Sequence, residues 1–200
     1  MSQIILLNGA SSSGKTSIAR SIQYLSNEPW LTFGVDTFIE MASYPSPGRD
    51  DEYFAFVPGE NNRGPLVSVK AKRSRAKLFD GMADFGLLLA DRENNLIIDE
   101  VLLNDQQLKL YVDRLAKHTV YFVGVKCDLG IMQEREYLRQ NRHIGLSNGQ
   151  FDIVHSGTRE YDLTVDTSNV SIFEISQEII TFIENNPKPN GFNNMRNNLL

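Results

Sequence analysis

This sequence has few cysteine and histidine residues, the types that act as reactive thiols and as metal ligands. Its 200 residues include one cysteine, Cys127, which excludes an internal disulfide. Because Cys127 lies just after the apolar run Val120–Val125, we interpret it as a core thiol rather than a reactive one. The histidines lack metal-ligand spacing and form neither a Ser-His-Asp nor a Cys-His arrangement; they are His118, His143 and His155. We therefore expect neither a histidine metal centre nor the nucleophilic chemistry of a hydrolase triad.

The sequence also lacks a long hydrophobic run and an excess of positive charge. Its first apolar run, Ile4–Leu7, has four residues, so we expect no secretory signal or membrane span and predict a cytoplasmic protein. The formal net charge of −5 provides no global basic field to attract nucleic acid or an anionic membrane. A basic run at residues 70–77 has no interleaved aromatic residues, which favours a solvated helical face over an anion site.

What the sequence does contain is a phosphate-binding loop. Residues 9–16 read GASSSGKT and match G-x-x-x-x-G-K-[ST], between an apolar run and a helical pattern that begins at Thr16. Two glycines allow successive N–H groups to point at an anion. Lys15 can reach the β- and γ-phosphates, and the Thr16 hydroxyl can ligate Mg²⁺. We predict a nucleoside triphosphate site, rather than a turn that only caps a helix, formed by Gly9, Ala10, Ser11, Ser12, Ser13, Gly14, Lys15 and Thr16.

Five apolar, β-rich runs alternate with helical patterns along the chain. The runs are Gln3–Asn8, Leu31–Val35, Leu96–Asp99, Thr119–Val125 and Leu163–Asp166. Continuous apolar runs are typical of parallel strands that are covered on both faces, so we predict an α/β fold with a helix-covered parallel sheet. The predicted helices include a long one over residues 67–91 and others beginning near Thr16, Asn104 or Asp105, Asp128, and Ser168 or Asn169.

Two segments interrupt this alternation. Residues 43–65 hold four prolines and three glycines among acidic and aromatic residues. We interpret this segment as a substrate-side loop that forms part of the acceptor wall, the alternative being a mobile surface insertion. The asparagine-rich end of the chain lacks periodicity and should be frayed. We therefore predict a single domain over residues 1–186 followed by a flexible tail over residues 187–200.

Acidic residues at two strand ends are candidates for metal binding and catalysis. Asp99 ends an apolar strand and would hold Mg²⁺ directly or through water. Glu100 ranks below it because side chains alternate along a strand. Asp36 terminates the second run, and ligands of such sheets bind outside the carboxyl ends of the strands. We predict that Asp36 orients the acceptor hydroxyl, although it is also a preferred residue for capping a helix over residues 37–41.

Three arginines are candidates for contacting the phosphates. Arg135, Arg139 and Arg142 are spaced i, i+4, i+7 on a helix beginning near Asp128, which places them on one face. A planar guanidinium suits bidentate phosphate contact, so we predict a lid region over residues 128–150. The alternative is an exposed charged helix that is only solvated.

With these residues, the chain resembles the chloramphenicol phosphotransferase family over about 180 residues. The resemblance runs through the phosphate loop, Glu28–Leu31, Phe33–Asp36, Ile97–Asp99, Val123–Val125, Cys127-Asp128, the arginines of the lid, Val154-His155, Glu160–Asp162 and Val165–Thr167. It implies a kinase-like P-loop fold with a five-stranded parallel sheet and phosphorylation of a small-molecule hydroxyl that depends on ATP and Mg²⁺. It places the family's proposed general base on Asp36, its nucleotide loop on Gly9–Thr16 and its lid arginines on Arg135 and Arg139.

We therefore interpret the sequence as an ATP-dependent phosphotransferase that acts on a hydroxylated small molecule. Chloramphenicol is one candidate acceptor among several, and the sequence leaves open whether the chain forms a homo-oligomer. One alternative is a nucleoside or nucleotide kinase with a base-binding slot around Tyr53–Phe56. Another is a nucleotide-binding regulatory module without transfer activity.

Overall fold

The elements of the fold were assigned from a computed structural model that describes residues 2–41, 54–71, 75–139 and 143–198. In chain order they are β1 (Gln3–Asn8), α1 (Lys15–Leu25), β2 (Trp30–Gly34), α2 (Val35–Glu40), β3 (Phe54–Asn61), β4 (Gly64–Ala71), α3 (Arg75–Asp91), β5 (Asn95–Glu100), α4 (Asp105–Arg114), β6 (Thr119–Lys126), α5 (Leu129–Arg139), α6 (Leu146–Phe151), β7 (Leu163–Asp166), α7 (Ile172–Asn185) and α8 (Gly191–Asn198).

Five of these strands form one parallel sheet in the order β2-β5-β1-β6-β7. This confirms the predicted fold class, and each predicted strand is present to within a residue at either end. The register pairs Leu7 of β1 with both Asp99 of β5 and Val123 of β6, and it pairs Gly34 of β2 with Asp99. The carboxyl ends of the central strands are therefore level, and the loops that follow them meet at one edge of the sheet.

Apolar side chains cover both faces of the sheet because alternate residues of a strand point to opposite sides. Ile4 and Leu6 of β1 join one buried cluster with residues of α3, α4 and α8. Ile5 and Leu7 join a second buried cluster with residues of α1 and α7. Burial on both faces explains why these strands read as continuous apolar runs, and full burial of each large side chain stabilises the fold by about 1.5–3 kcal/mol.

Strands β3 and β4 form a separate antiparallel hairpin, paired from Phe54 with Ala71 to Asn61 with Gly64. This corrects two predictions. The second half of the predicted loop at residues 43–65 is strand, and the long helix starts at Arg75 rather than at residue 67. The cause is the period of two at Val67 and Val69, because β-branched residues separated by polar ones favour a strand.

The hairpin also divides the basic run, which was predicted to form one face of a helix. Lys70 lies on β4 and Lys77 lies on α3, so the run does not share a helical face. Lys72 and Arg73 lie outside the described residues, as do the first eleven residues of the predicted loop, including Tyr53.

Helix α8, over Gly191–Asn198, lies within the segment for which a flexible tail was predicted. Helix α8 places Phe192 and Met195 in the buried cluster that contains β6, and the Phe192 ring lies 5.9 Å from that of Phe122. The carboxylate of Asp162 accepts the N–H groups of Asn190 and Gly191 at 2.9 and 2.8 Å. In the sequence, helix α8 is indicated only by the apolar pair Phe192 and Met195 at i, i+3, which lies among asparagines.

Within the described ranges, no helix combines the length and the apolar character that crossing a membrane requires.

Replacing Met195 tests whether α8 belongs to the core. Met195 has no exposed surface, so Met195→Ala should lower the free energy of unfolding by about 2–5 kcal/mol. Asn193→Ala, an exposed change on the same helix, should alter it by less than about 0.5 kcal/mol. Urea unfolding followed by circular dichroism measures both values. Equal effects for the two variants would mean that α8 does not contribute to the core.

Candidate functional site

The predicted phosphate loop connects β1 to α1 at the level edge of the sheet. Gly14 is the N-cap of α1 and has a φ angle of 98°, a left-handed conformation that a residue with a side chain adopts only with strain. The turn is closed by the N–H of Ser13, which donates to the carbonyl of Ala10 at 3.2 Å. The hydroxyl groups of Ser12 and Ser13 are buried, and no described residue bonds to them. This loop has the strand–turn–helix context that a phosphate site requires.

Lys15, Thr16 and Asp99 converge beside the loop. Lys15 is 6% exposed, and its Nζ lies 3.0 Å from the carbonyl oxygen of Ala10 and 3.6 Å from Oδ1 of Asp99. The Thr16 hydroxyl donates to Oδ2 of Asp99 at 2.5 Å. One hydroxyl and one carboxylate next to a phosphate cradle are hard oxygen donors of the kind that Mg²⁺ prefers. The residues present therefore fit a magnesium ion held between Thr16 and Asp99.

Glu100 lies on the opposite side of the strand from Asp99 and is completely buried. Tyr111 donates to its Oε1 at 2.5 Å, and the Val101 N–H donates to its Oε2 at 3.2 Å. Burial raises the pKa of Glu100 to about 7, against the opposing effect of the Tyr111 hydrogen bond. The Glu100 carbonyl accepts the N–H of Gly9 at 3.4 Å, so its main chain holds the first residue of the phosphate loop.

Asp36 lies in the first turn of α2 rather than at the end of β2, because the strand ends at Gly34. Gly34 is also the N-cap of α2, so the capping role considered for Asp36 is wrong. A Cβ atom at Gly34 would lie 2.1 Å from the carbonyl oxygen of Asp99, so only glycine allows β2 to approach β5 this closely. The close approach brings Asp36 into the same cavity as Lys15 and Asp99.

The two described lid arginines differ in their surroundings. Arg135 is half-buried and donates to the hydroxyl and the carbonyl of Thr167 at 3.0 and 2.8 Å, while its Nη1 lies 3.5 Å from the Ser12 carbonyl oxygen. The Thr167 hydroxyl in turn donates to the Ser13 carbonyl at 2.8 Å. Arg139 is exposed and borders the cavity that contains Asp36, and no described residue bonds to it. Arg142 lies outside the described residues.

The cavity beside the loop has a volume of about 280 Å³ and two chemically different walls. The polar wall is the loop with Asp36 and Asp99. The apolar wall comes from α2, α3 and the hairpin, and it consists of Val35, Ile39, Phe54, Phe56, Val69 and Phe79. Phe54 packs edge-on against Phe79 with ring centroids 6.2 Å apart, and Phe56 stacks on His143 at 4.3 Å. The wall therefore lies where a second substrate would face bound phosphates.

A second cavity, of about 650 Å³, lies on the other side of the loop at the ends of β6 and β7. Its lining includes Ala10, Cys127, Asp128, His155, Asp166 and Ser168. Cys127 is 7% exposed, as expected for a core thiol. The Nδ1 atom of His155 is hydrogen-bonded to the Tyr161 hydroxyl at 2.8 Å, and Asn8 donates to the same hydroxyl at 2.7 Å.

Helix α6, which was not predicted from the sequence, connects the phosphate loop to the hairpin. The Val67 N–H of β4 donates to the Gly145 carbonyl at 2.8 Å, and Asn148 donates to the Pro65 carbonyl at 2.9 Å. The buried carboxylate of Glu136 accepts the N–H groups of Gly145 and Ser147 at 2.7 and 2.9 Å. No helical stripe signals α6, because the buried residues at its start include Ser147 and Asn148.

Comparisons with known proteins agree on one family and one fold. The family described as "Chloramphenicol phosphotransferase-like protein" matches residues 2–184. A relative from Mycobacterium tuberculosis (strain ATCC 25618 / H37Rv), named "Putative O-phosphotransferase Rv2636", is 29% identical over 215 residues, with 99% of this chain and 89% of the relative covered.

Two solved structures illustrate the fold. The Mycobacterium tuberculosis APS kinase CysC in complex with AMPPNP and APS has a TM-score of 0.61 at 16% identity, over 92% of this chain and 98% of its own. Shikimate kinase from Acinetobacter baumannii in complex with shikimate has a TM-score of 0.50 at 13% identity, over 93% and 94% of the two chains. The architecture is that of the P-loop kinases.

The pH dependence of stability tests the burial of Glu100. Its raised pKa means that the folded protein keeps a proton which the unfolded chain releases between about 4.5 and about 7. The contribution of Glu100 to stability should therefore fall as the pH rises through this window and then level off, while His155, whose pKa burial lowers to about 4, makes an opposing contribution that is common to wild type and variant. Glu100→Gln cannot ionise, so its free energy of unfolding relative to wild type should rise by up to about 3 kcal/mol from pH 4.5 to about pH 8.

Urea unfolding at a series of pH values measures this difference, with Glu93→Gln, an exposed site, as the control. Wild type and Glu100→Gln giving parallel stability curves would contradict the raised pKa.

Proposed function

Because the chain belongs to the chloramphenicol phosphotransferase-like family, we propose that it transfers the γ-phosphoryl group of ATP to a hydroxyl group of a small molecule. The observation that carries this proposal is the shared cavity of Lys15, Thr16, Asp36 and Asp99. A binding module needs the loop and the metal ligands, but it has no use for a second carboxylate in the same cavity. The O-phosphotransferase description of the Mycobacterium tuberculosis relative supports the same reading.

The phosphate loop and its neighbours would bind the nucleotide. The N–H groups at the start of α1 and the Lys15 ammonium would neutralise phosphate charge, and the neighbouring Thr16 hydroxyl and Asp99 carboxylate would hold Mg²⁺. Bound MgATP supplies an electrophilic phosphoryl group with its charge partly neutralised. We assign the nucleoside to the larger cavity, because that cavity adjoins Ala10 on the side of the loop away from Asp36.

Asp36 would orient the acceptor hydroxyl and take its proton. The acceptor oxygen forms a bond to the γ-phosphorus while the bond to the bridging oxygen of ADP breaks, and the hydroxyl proton passes to the Asp36 carboxylate. A carboxylate is a weak base, but positioning dominates in a loose transition state where the proton leaves late. Arg139, exposed at the mouth of the same cavity, can approach the transferring group with its guanidinium.

The apolar wall restricts the acceptor. Phe54, Phe56, Val69 and Phe79 face the polar loop across a cavity of about 280 Å³, so a matching acceptor has a hydroxyl at one end and an apolar or aromatic body. Chloramphenicol and nucleosides both have a ring and a hydroxyl, whereas aminoglycosides lack an apolar body. The nucleoside alternative is favoured by one observation, the aromatic pair of Phe56 and His143, since stacked rings can hold a base.

An acceptor screen with an Asp36 variant tests the proposal. ADP release from MgATP should depend on one member of a panel of chloramphenicol, nucleosides and aminoglycosides. Asp36→Asn keeps the shape of the side chain but loses its basicity, so turnover should fall about 10²-fold or more. Calorimetry should find nucleotide affinity within about twofold of wild type, since only orientation and proton transfer are lost.

Asp113→Asn, at an exposed position of α4, is the matched control and should retain full turnover. An Asp36→Asn protein that retains full acceptor-dependent turnover would refute the catalytic role. Tight nucleotide binding without turnover for any acceptor would favour the regulatory module.

The metal site has its own test. Asp99→Asn should reduce the gain in nucleotide affinity that Mg²⁺ provides by about tenfold or more, because one anionic ligand is lost. Titrations of ATP into wild type and variant, each with Mg²⁺ and with EDTA, isolate this gain. An unchanged Mg²⁺ gain in the variant would show that Asp99 is not a ligand.

A further inference from the structure

We propose that Gln150 is a specificity-determining residue whose side-chain NH₂ group donates a hydrogen bond to the terminal phosphoryl group of a bound nucleoside triphosphate. This inference rests on the proposed function, since it requires the phosphate loop to hold a nucleotide. Neither the sequence motif nor the arginines of the lid account for Gln150, which lies on α6 about 140 positions from the loop.

The orientation of the Gln150 carboxamide follows from its one hydrogen bond. The Ser11 N–H donates to Oε1 of Gln150 at 2.7 Å. An N–H group is only a donor, so the carboxamide atom that faces it must be the oxygen. The nitrogen is bonded to the same carbon and therefore points away from Ser11 with two donors. Among the described residues, none accepts a hydrogen bond from this nitrogen.

The surroundings of Gln150 explain what its free donors can reach. The side chain is 5% exposed and borders the cavity that contains Lys15 and Asp36. The Gln150 nitrogen is not among the sealed atoms without a partner, unlike that of Gln107, so it is open to the cavity, where a ligand oxygen can accept its hydrogen bond. Because Ser11 belongs to the phosphate loop itself, the ligand oxygen nearest to this carboxamide is one on the terminal phosphoryl group rather than one at the hairpin end.

A second glutamine shows that a backbone N–H bonded to the carboxamide oxygen can serve structure alone, without a ligand site. Gln107 of α4 accepts the Leu103 N–H at 2.9 Å and is also 5% exposed. Its nitrogen is sealed inside the protein without a partner, and Gln107 does not border the cavity. In both residues the carboxamide oxygen accepts a backbone N–H and the side chain is equally buried, and they differ in whether the nitrogen faces the cavity.

Helix α6 holds Gln150 firmly in place. The Glu136 carboxylate caps the start of the helix, and Asn148 bonds it to the hairpin. A donor that is fixed before the ligand arrives stabilises charge without reorganisation. Lys15 would contact the phosphoryl group through its charge. Gln150 is neutral, so it would add a directional hydrogen bond but no further charge. Once the phosphoryl group has left, the bond to ADP is absent, so the contact favours triphosphate over diphosphate.

Comparison of two nucleotides tests this role without an acceptor. Calorimetry gives the dissociation constants of ADP and of the β,γ-imido analogue of ATP, each with Mg²⁺, for wild type, Gln150→Met, Gln150→Glu and the control Gln107→Met. Gln150→Met should weaken the analogue relative to ADP by about tenfold, because a charge-assisted hydrogen bond is lost. Gln150→Glu keeps an acceptor for the Ser11 N–H and places an anion at the phosphoryl group. Repulsion between the two anions should weaken binding of the analogue, relative to ADP, more than Gln150→Met does.

Gln107→Met should lower the thermal midpoint of the ligand-free protein and leave the ratio at the wild-type value. If both Gln150 variants fold and bind the two nucleotides in the wild-type ratio, Gln150 only shapes the loop and the inference is wrong. Gln150→Glu secures the test if Gln150→Met fails to fold, because the bond to Ser11 is preserved. Failure of the wild type to bind either nucleotide would refute the proposed function itself.

Discussion

The close approach of β2 to β5 at Gly34 is the constraint on which the site depends. It sets Gly34 level with Asp99 in the sheet, and the next turn of the chain carries Asp36. On the other side of β5, strand β1 ends at the same level and is followed by the phosphate loop. Three chain segments far apart in sequence thus bring the Asp36 carboxylate, the Asp99 carboxylate and the loop at residues 9–16 to one cavity. A side chain at Gly34 would separate the strands and, with them, the two carboxylates.

Behind the cavity, the loop is supported by buried polar groups as well as by the apolar packing of Ala10. Glu100 accepts the Gly9 N–H through its carbonyl and the Tyr111 hydroxyl through its carboxyl group. Thr167 bonds the Ser13 carbonyl and is itself held by Arg135. Directional bonds of this kind fix the loop more tightly than packing does, because each buried group has few alternative partners. The loop is therefore shaped before any ligand is present.

The sequence predicted the elements whose signal is local. Continuous apolar runs indicated the five parallel strands, and the loop motif with Asp99 indicated where phosphate chemistry would lie. Helix α8 was missed because tertiary contacts stabilise it: Phe192 and Met195 are buried only because β6 lies beneath them. The hairpin was missed although Val67 and Val69 give it a local period of two. Gln150 could not be found from sequence at all, since its meaning depends on the Ser11 amide that faces it. The i, i+4 spacing of Arg135 and Arg139 was informative about the helix, yet it could not reveal that Arg135 turns to Thr167.

The hairpin has a consequence for how this scaffold can diversify. It forms a sheet of its own, and it meets the rest of the protein through main-chain bonds, through Asn148 and through apolar packing of Phe54, Phe56 and Val69 with residues of α2 and α3. Its cavity-facing side chains, Phe54, Phe56 and Val69, belong to no strand of the central sheet. Phe56 and Val69 are only partly buried, so these two positions can change at a lower cost to the fold than the buried Phe54. A cavity wall that is carried partly by a separate hairpin can therefore vary while the strands of the central sheet stay unchanged.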